Sequence, residues 1–289
     1  MTDSRLISFG FVAVFLAVQG LGLHIGQLYF NAIQAGVAEP IVSNPESIST
    51  SLYLISYILI ATVVIMLIIK FKRNLLRALE IFVLFMSSWI TFGFLIPVSI
   101  LYIDVGMILA IALIIWKLKR PGFASQTTSV IFSLSGIGSI LGASLGVIPS
   151  LVFLLAVSIY DFISVFLTKH MVFMANAIVK EPTIFTVSMP ADFKAVSKLS
   201  KKSKAGKTEV IRMFNLGSGD IALPLVFLVS VMSNIGLKNA IFSLVGVTVA
   251  LFILLNWRIK DTLTKPRAMP AMPYLALGLF AGFVLSLFV

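Results

Sequence analysis

Apolar runs of about twenty residues, separated by clusters of Lys and Arg, recur along the whole of this chain. A helix needs a run of roughly that length to cross a hydrocarbon core about 30 Å thick. Inside a bilayer no water satisfies the backbone, so each N–H and C=O must pair within its own segment, and an open chain achieves this only as a helix. Composition points the same way. The 289 residues are 59% hydrophobic and 11% charged, whereas a soluble domain is roughly 25% charged. The expected fold class is all-α, a polytopic membrane protein.

The runs predict nine spans, at about 6–33, 49–70, 75–97, 101–117, 127–147, 149–169, 210–233, 237–257 and 270–289. Lys70, Lys72, Arg73 and Arg77 sit at the second junction, and Lys117, Lys119 and Arg120 at the fourth. Lys169 to Arg212 hold the largest basic cluster, and Arg258, Lys260, Lys265 and Arg267 the last. With Arg5, every basic residue except Lys238 falls on one side of the alternation. Basic loops stay in the cytoplasm, which places the N-terminus inside and the C-terminus outside. A wrong number of spans would scramble this pattern. Trp116 and Trp257 lie beside basic clusters, at the level of an interfacial aromatic belt. The first apolar stretch, Leu6 to about Leu23, is longer than the core of a cleaved signal, so a permanent first helix is expected.

The net charge of +11 is explained by these junctions, and no nucleic-acid partner is expected. The chain has no cysteine, and its two histidines, His24 and His170, lie in different segments. Neither a thiol nucleophile nor a metal site is expected, and no cofactor is implied. The long junction divides the chain into an N-terminal six-helix part (1–169), a cytoplasmic loop (170–209) and a C-terminal three-helix part (210–289). Met171 to Met189 is apolar enough to prolong the sixth helix or lie in the interface. Lys194 to Lys207 has the composition of a disordered segment.

Two acids interrupt the apolar runs: Asp161, after Tyr160 in the sixth, and Asp220, after Gly217-Ser218-Gly219 in the seventh. An ionisable group in hydrocarbon is costly, and persists where it is paired, enclosed in protein or beside water. Asp161 precedes Lys169 by eight residues and Asp220 follows Arg212 by eight. At ~1.5 Å per helical residue, both lie about 12 Å below the basic edge. Two carboxylates meeting at one level cannot both ionise cheaply, so one keeps a proton. Such a pair suits the activation of water, and it titrates as a unit. Proton-coupled or ion-coupled transport is the rival use of buried carboxylates, although the chain shows no repeated halves of the kind many transporters carry.

Around these acids, Gly217 and Gly219 either admit an extended strand beside Asp220 or serve ordinary helix packing. Tyr160 either orients Asp161 or packs. Pro270-Ala271-Met272-Pro273 opens the ninth run, and its two prolines remove two backbone donors, as in an irregular turn or simply a helix start. Thr208 to Phe214, with Ile211 and Met213 among them, is suited to holding an unwound partner by strand addition. Gly138, Gly142 and Gly146 form a packing face on the fifth helix. Asp104 is expected to reach water at a helix end, and Glu80 to pair with Arg77 at the surface.

Tyr-Asp, then Gly-x-Gly-Asp, then a Pro-Ala-Leu-like turn, in that order within nine helices, resemble the presenilin and signal peptide peptidase family of intramembrane aspartyl proteases. Size and the absence of large appended domains are similar to archaeal presenilin homologues, which implies the cell membrane of a prokaryote. The family's Pro-Ala-Leu reads Pro270-Ala271-Met272 here. The resemblance implies cleavage of single-span membrane proteins within the bilayer, with Asp161 and Asp220 catalytic and Pro270 to Met272 supporting. It leaves a homo-oligomer open. The strongly basic loop between the sixth and seventh runs favours the presenilin orientation, and substrates with a cytoplasmic C-terminus.

Overall fold

The computed structural model describes residues 2–42, 44–71, 73–100, 103–120, 122–166, 186–190, 213–262 and 270–289. Among these residues are nine helices: α1 (Thr2–Gln34), α2 (Ile48–Phe71), α3 (Arg73–Leu95), α4 (Val105–Lys119), α5 (Phe123–Ala143), α6 (Val147–Phe166), α7 (Gly219–Asn234), α8 (Leu237–Thr262) and α9 (Met272–Ser286). Two short antiparallel strand pairs accompany them. Strand β1 (Ser99–Ile100) pairs with β2 (Ile103–Asp104), and β3 (Thr186–Pro190) with β4 (Met213–Gly217). The all-α polytopic fold is as expected. Among the described residues α1, α2, α3, α6 and α8 are long and apolar enough to cross a membrane, and α7 and α9 are shorter apolar helices.

The strands correct two of the expected spans. Residues 103 and 104 do not belong to the fourth helix. Proline at 97 has no N–H to continue α3, and the chain turns through β1 and β2 before α4 begins. Asp104 does not simply reach water. Its Oδ1 accepts the Gly106 N–H at 2.8 Å, capping α4, and its Oδ2 accepts the Trp89 indole N–H at 2.7 Å. The seventh helix starts at Gly219 rather than near 210, because Met213–Gly217 is extended and bonded to Thr186–Pro190. The end of the apolar stretch from Met171 to Met189 is thus a strand, not a continuation of α6. The rest of that stretch, and Lys194 to Lys207, lie outside the described residues.

Helix α7 is the centre of the molecule. Ile221, Leu225, Val226, Phe227, Leu228, Val229 and Val231 are each at most 3% exposed, on every face of the helix. A helix apolar all round is one surrounded by others, and α7 contacts α1, α5, α6, α8 and α9. Two of these approach it through glycine. A Cβ on Gly22 of α1 would strike the Leu225 side chain, and one on Gly26 would lie 2.6 Å from Val229. On α5 a Cβ at Gly138 would lie 2.7 Å from Leu225, and one at Gly142 2.6 Å from the Val226 carbonyl oxygen. Gly138 and Gly142 therefore pack as expected, whereas Gly146 abuts Glu46. Helices α8 and α9 meet through Gly246, Gly278 and Gly282, whose backbones touch across the contact.

Candidate active site

Asp161 lies on α6 and is 6% exposed. Its Oδ2 accepts the backbone N–H of Met272 at 3.2 Å. That donor is available because Met272 is the first residue of α9, where the leading N–H groups have no acceptor within their own helix. Proline at 270 and at 273 contributes no N–H, so in this turn the donors are those of Ala271 and Met272. Pro270, Ala271 and Met272 are all buried. Pro273 sits in the first turn of a helix, and the same turn reaches an acid.

Asp220 is the second residue of α7 and is half-buried. The N-terminus of a helix favours negative charge there. A Cβ on Gly217 would lie 3.1 Å from Asp220 Oδ2, so a side chain there would press on the carboxylate. Ser218 precedes the helix, and its carbonyl accepts the N–H groups of Ile221 and Ala222. Gly219 is exposed and has no described atom within 4 Å of where a Cβ would stand. Close packing therefore does not explain it. The ~12 Å depth given to Asp220 assumed helical rise, and the extended residues before it advance about 3.3 Å each.

Helices α6, α7 and α9 contact one another, so both acids and the proline turn come from mutual neighbours. Ile221, Leu216, Val187, Ala271 and Met272 belong to one hydrophobic core. The Tyr160 hydroxyl reaches Thr62 Oγ1 on α2 at 3.4 Å. Met213 is the first residue of β4, opposite Pro190. Ile211 lies outside the described residues.

Sequence reasoning missed two residues here. Gln19 of α1 is fully buried, and its Nε2 donates to the Ile221 carbonyl at 2.9 Å, one residue beyond Asp220. Pro224, inside α7, has no N–H to give the carbonyl four residues back, that of Asp220. The signal was present in each case: a carboxamide in the middle of one apolar run and a lone proline in another.

The family model for signal-peptide peptidase and presenilin aspartyl proteases matches residues 12–289. The chain belongs to this family. It is an intramembrane aspartic endopeptidase, a hydrolase of the membrane. A presenilin family intramembrane aspartate protease solved in space group C222 has a similar fold, with TM-score 0.68 and 22% identity over 97% of this chain and 98% of that one. One solved in space group P2 gives TM-score 0.67 and 23% identity over 96% of each chain. No curated protein matches this presenilin-family chain. Among the described residues of the protease, no three His, Cys, Asp or Glu side chains come together as metal ligands.

Proposed function

We propose that Asp161 and Asp220 are the catalytic pair, and that the protease cuts peptide bonds in or near the membrane-spanning helix of single-span substrates. The observation that carries the assignment is the hydrogen bond from Met272 to Asp161. It joins the sixth-helix acid to the Pro270-Ala271-Met272 turn, on a helix that also contacts α7, which bears Asp220. In this mechanism the ionised carboxylate takes a proton from water as its oxygen bonds to the scissile carbonyl carbon. The protonated carboxyl donates to the carbonyl oxygen. The tetrahedral diol then loses the amine, which leaves with a proton, and the two chains part as a carboxyl and an amino terminus. Both acids belong to one titrating unit, and neither role is fixed to one residue.

A helical substrate must unwind before its peptide bonds can be reached. Strand β4, which includes Met213 and continues the 208–214 segment, is bonded to β3 along one edge. Its other edge would receive the unwound substrate and lead the scissile bond past Gly217, Ser218 and Gly219 to Asp220. The division into 1–169, 170–209 and 210–289 places the first acid and the second on separate parts of the chain. The chain is oriented with its N-terminus in the cytoplasm of a prokaryotic cell.

The test is cleavage of a detergent-solubilised single-span substrate by the purified enzyme. Asp161→Ala and Asp220→Ala should each abolish product. Persistent cutting by either variant rejects the pair.

A further inference from the structure

A cavity of about 340 Å³ opens between α3, α4 and the start of α5, lined by none of the helices that bear the two acids and the proline turn. Sites for small ligands run from roughly 300 to 1,000 Å³. The cavity lies where α3 begins, α4 ends and α5 begins. That level is a basic edge of the membrane, marked by Lys70 to Arg77 on one junction and Lys117 to Arg120 on the next. Trp116, beside Lys117, is 39% exposed there. The walls change character with depth. Arg77, Glu80, Lys117 and Ser125 line the end at the edge, and Ile81, Leu84 and Ile114 the end further in. Leu84 lies seven residues beyond Arg77 on α3, about 10 Å deeper at ~1.5 Å per residue. Ile114 lies one turn before Lys117, on the same inward side.

The outer end carries a surplus of positive charge. Lys117 Nζ lies 2.6 Å from Glu80 Oε1, and one carboxylate cannot neutralise both that lysine and Arg77, which is exposed. Lys119 and Arg120, also exposed, follow on the same junction. Helix α5, 21 residues long, starts at this wall, and its cap position is Gly122, which has no side chain to accept the leading N–H groups. Those groups carry partial positive charge. A cationic rim above an apolar recess, at the level where headgroups meet hydrocarbon, is the complement of an anionic amphiphile.

We infer that this cavity is a binding site for one anionic phospholipid. Its phosphate sits against Arg77, Lys117 and the start of α5, and the upper part of an acyl chain lies on Ile81, Leu84 and Ile114. Basic pockets between membrane helices on the cytoplasmic side hold such headgroups in other membrane proteins. A zwitterionic lipid would bring its own cation toward Arg77 and gain less. A free phosphate ion would leave the apolar recess unfilled. The bound lipid touches three helices at once, so it ties the ends of α3 and α4 to the start of α5.

The test uses the full-length protein, purified in detergent and mixed with equal amounts of phosphatidylglycerol and phosphatidylcholine of the same acyl chains. Native mass spectrometry reads which lipid each molecule retains. The first lipid retained should be phosphatidylglycerol, by about fivefold or more, the factor expected of one cation acting on an anionic headgroup. Arg77→Gln should remove that preference, and Arg77→Lys should keep it. Ile114→Trp, which fills the recess and leaves every charge in place, should lower retention of both lipids. Arg5→Gln and Arg258→Gln, at other basic junctions, should change nothing. In a second measurement phosphatidylglycerol should raise the thermal unfolding midpoint of the natural chain but not that of Arg77→Gln, and inorganic phosphate alone should raise neither. Equal retention of the two lipids, an undiminished preference in Arg77→Gln, or undiminished retention in Ile114→Trp overturns the inference. So does an equal rise of the midpoint with inorganic phosphate, which would make this a site for a free anion.

Discussion

At the scale of single residues, this protein shows what a membrane demands of each polar group. Asp161 is buried and receives a backbone N–H, Asp104 is fixed by an indole and a helix start, and Gln19 holds the carbonyl next to Asp220. Glu80 was expected to pair with Arg77 at the surface. It is buried rather than at the surface, and its Oε1 lies 2.6 Å from Lys117 Nζ, with side chains 9% and 13% exposed. Lys117 belongs to the next helix, and the turn through β1 and β2 brings α4 back along α3. Removing one member of such a pair leaves a buried charge and costs about 3–5 kcal/mol, whereas replacing both with apolar residues of similar size is often neutral. Lys117→Met alone should therefore lower the thermal unfolding midpoint in detergent clearly, and Glu80→Leu with Lys117→Met should recover most of the loss. A double variant as unstable as the single one would show that the pair itself, not relief of a stranded charge, stabilises α3 against α4.

At the scale of elements, the acids are placed by how tightly helices approach. Helix α7 carries Asp220 through the middle of the molecule, and glycines of α1 and α5 open the groove it fills. The neighbours differ in what they can yield. At Gly22 an added methyl meets the end of a Leu225 side chain, which can rotate away. At Gly142 it meets the Val226 carbonyl oxygen at 2.6 Å, which can yield only by moving α7. Overpacking of that kind costs about 1–3 kcal/mol. Gly142→Ala should thus depress both the unfolding midpoint and substrate turnover, and Gly22→Ala should do so less. A reversed order, measured on the two purified variants, would mean that α7 is not held from the α5 side.

At the scale of the whole molecule, basic residues decide orientation before any helix packs. With Lys238 the lone basic residue on the opposite side of the expected alternation, a phosphatase that folds only outside the cytoplasm should be active when fused after Val289 and inactive when fused before Met1. The opposite outcome would invert the proposed topology and, with it, the side on which substrate tails lie. The existence of the apolar helices, the fold class and the two acids were legible because a bilayer selects for long apolar runs, and a charge inside one stands out from its neighbours. Element ends were less legible. The strand at Met213–Gly217 is stabilised by pairing with Thr186–Pro190, residues far away along the chain, so no local pattern announces it. The same holds for the donor that Met272 offers Asp161, for Gln19 beside Ile221 and for the ion pair of Glu80 with Lys117. Sequence alone determined which segments enter the membrane and which residues are chemically able to act there, since both follow from transfer free energies of nearby residues. Only the tertiary structure decided which of those residues meet, because that depends on helix contacts made across more than a hundred residues of chain.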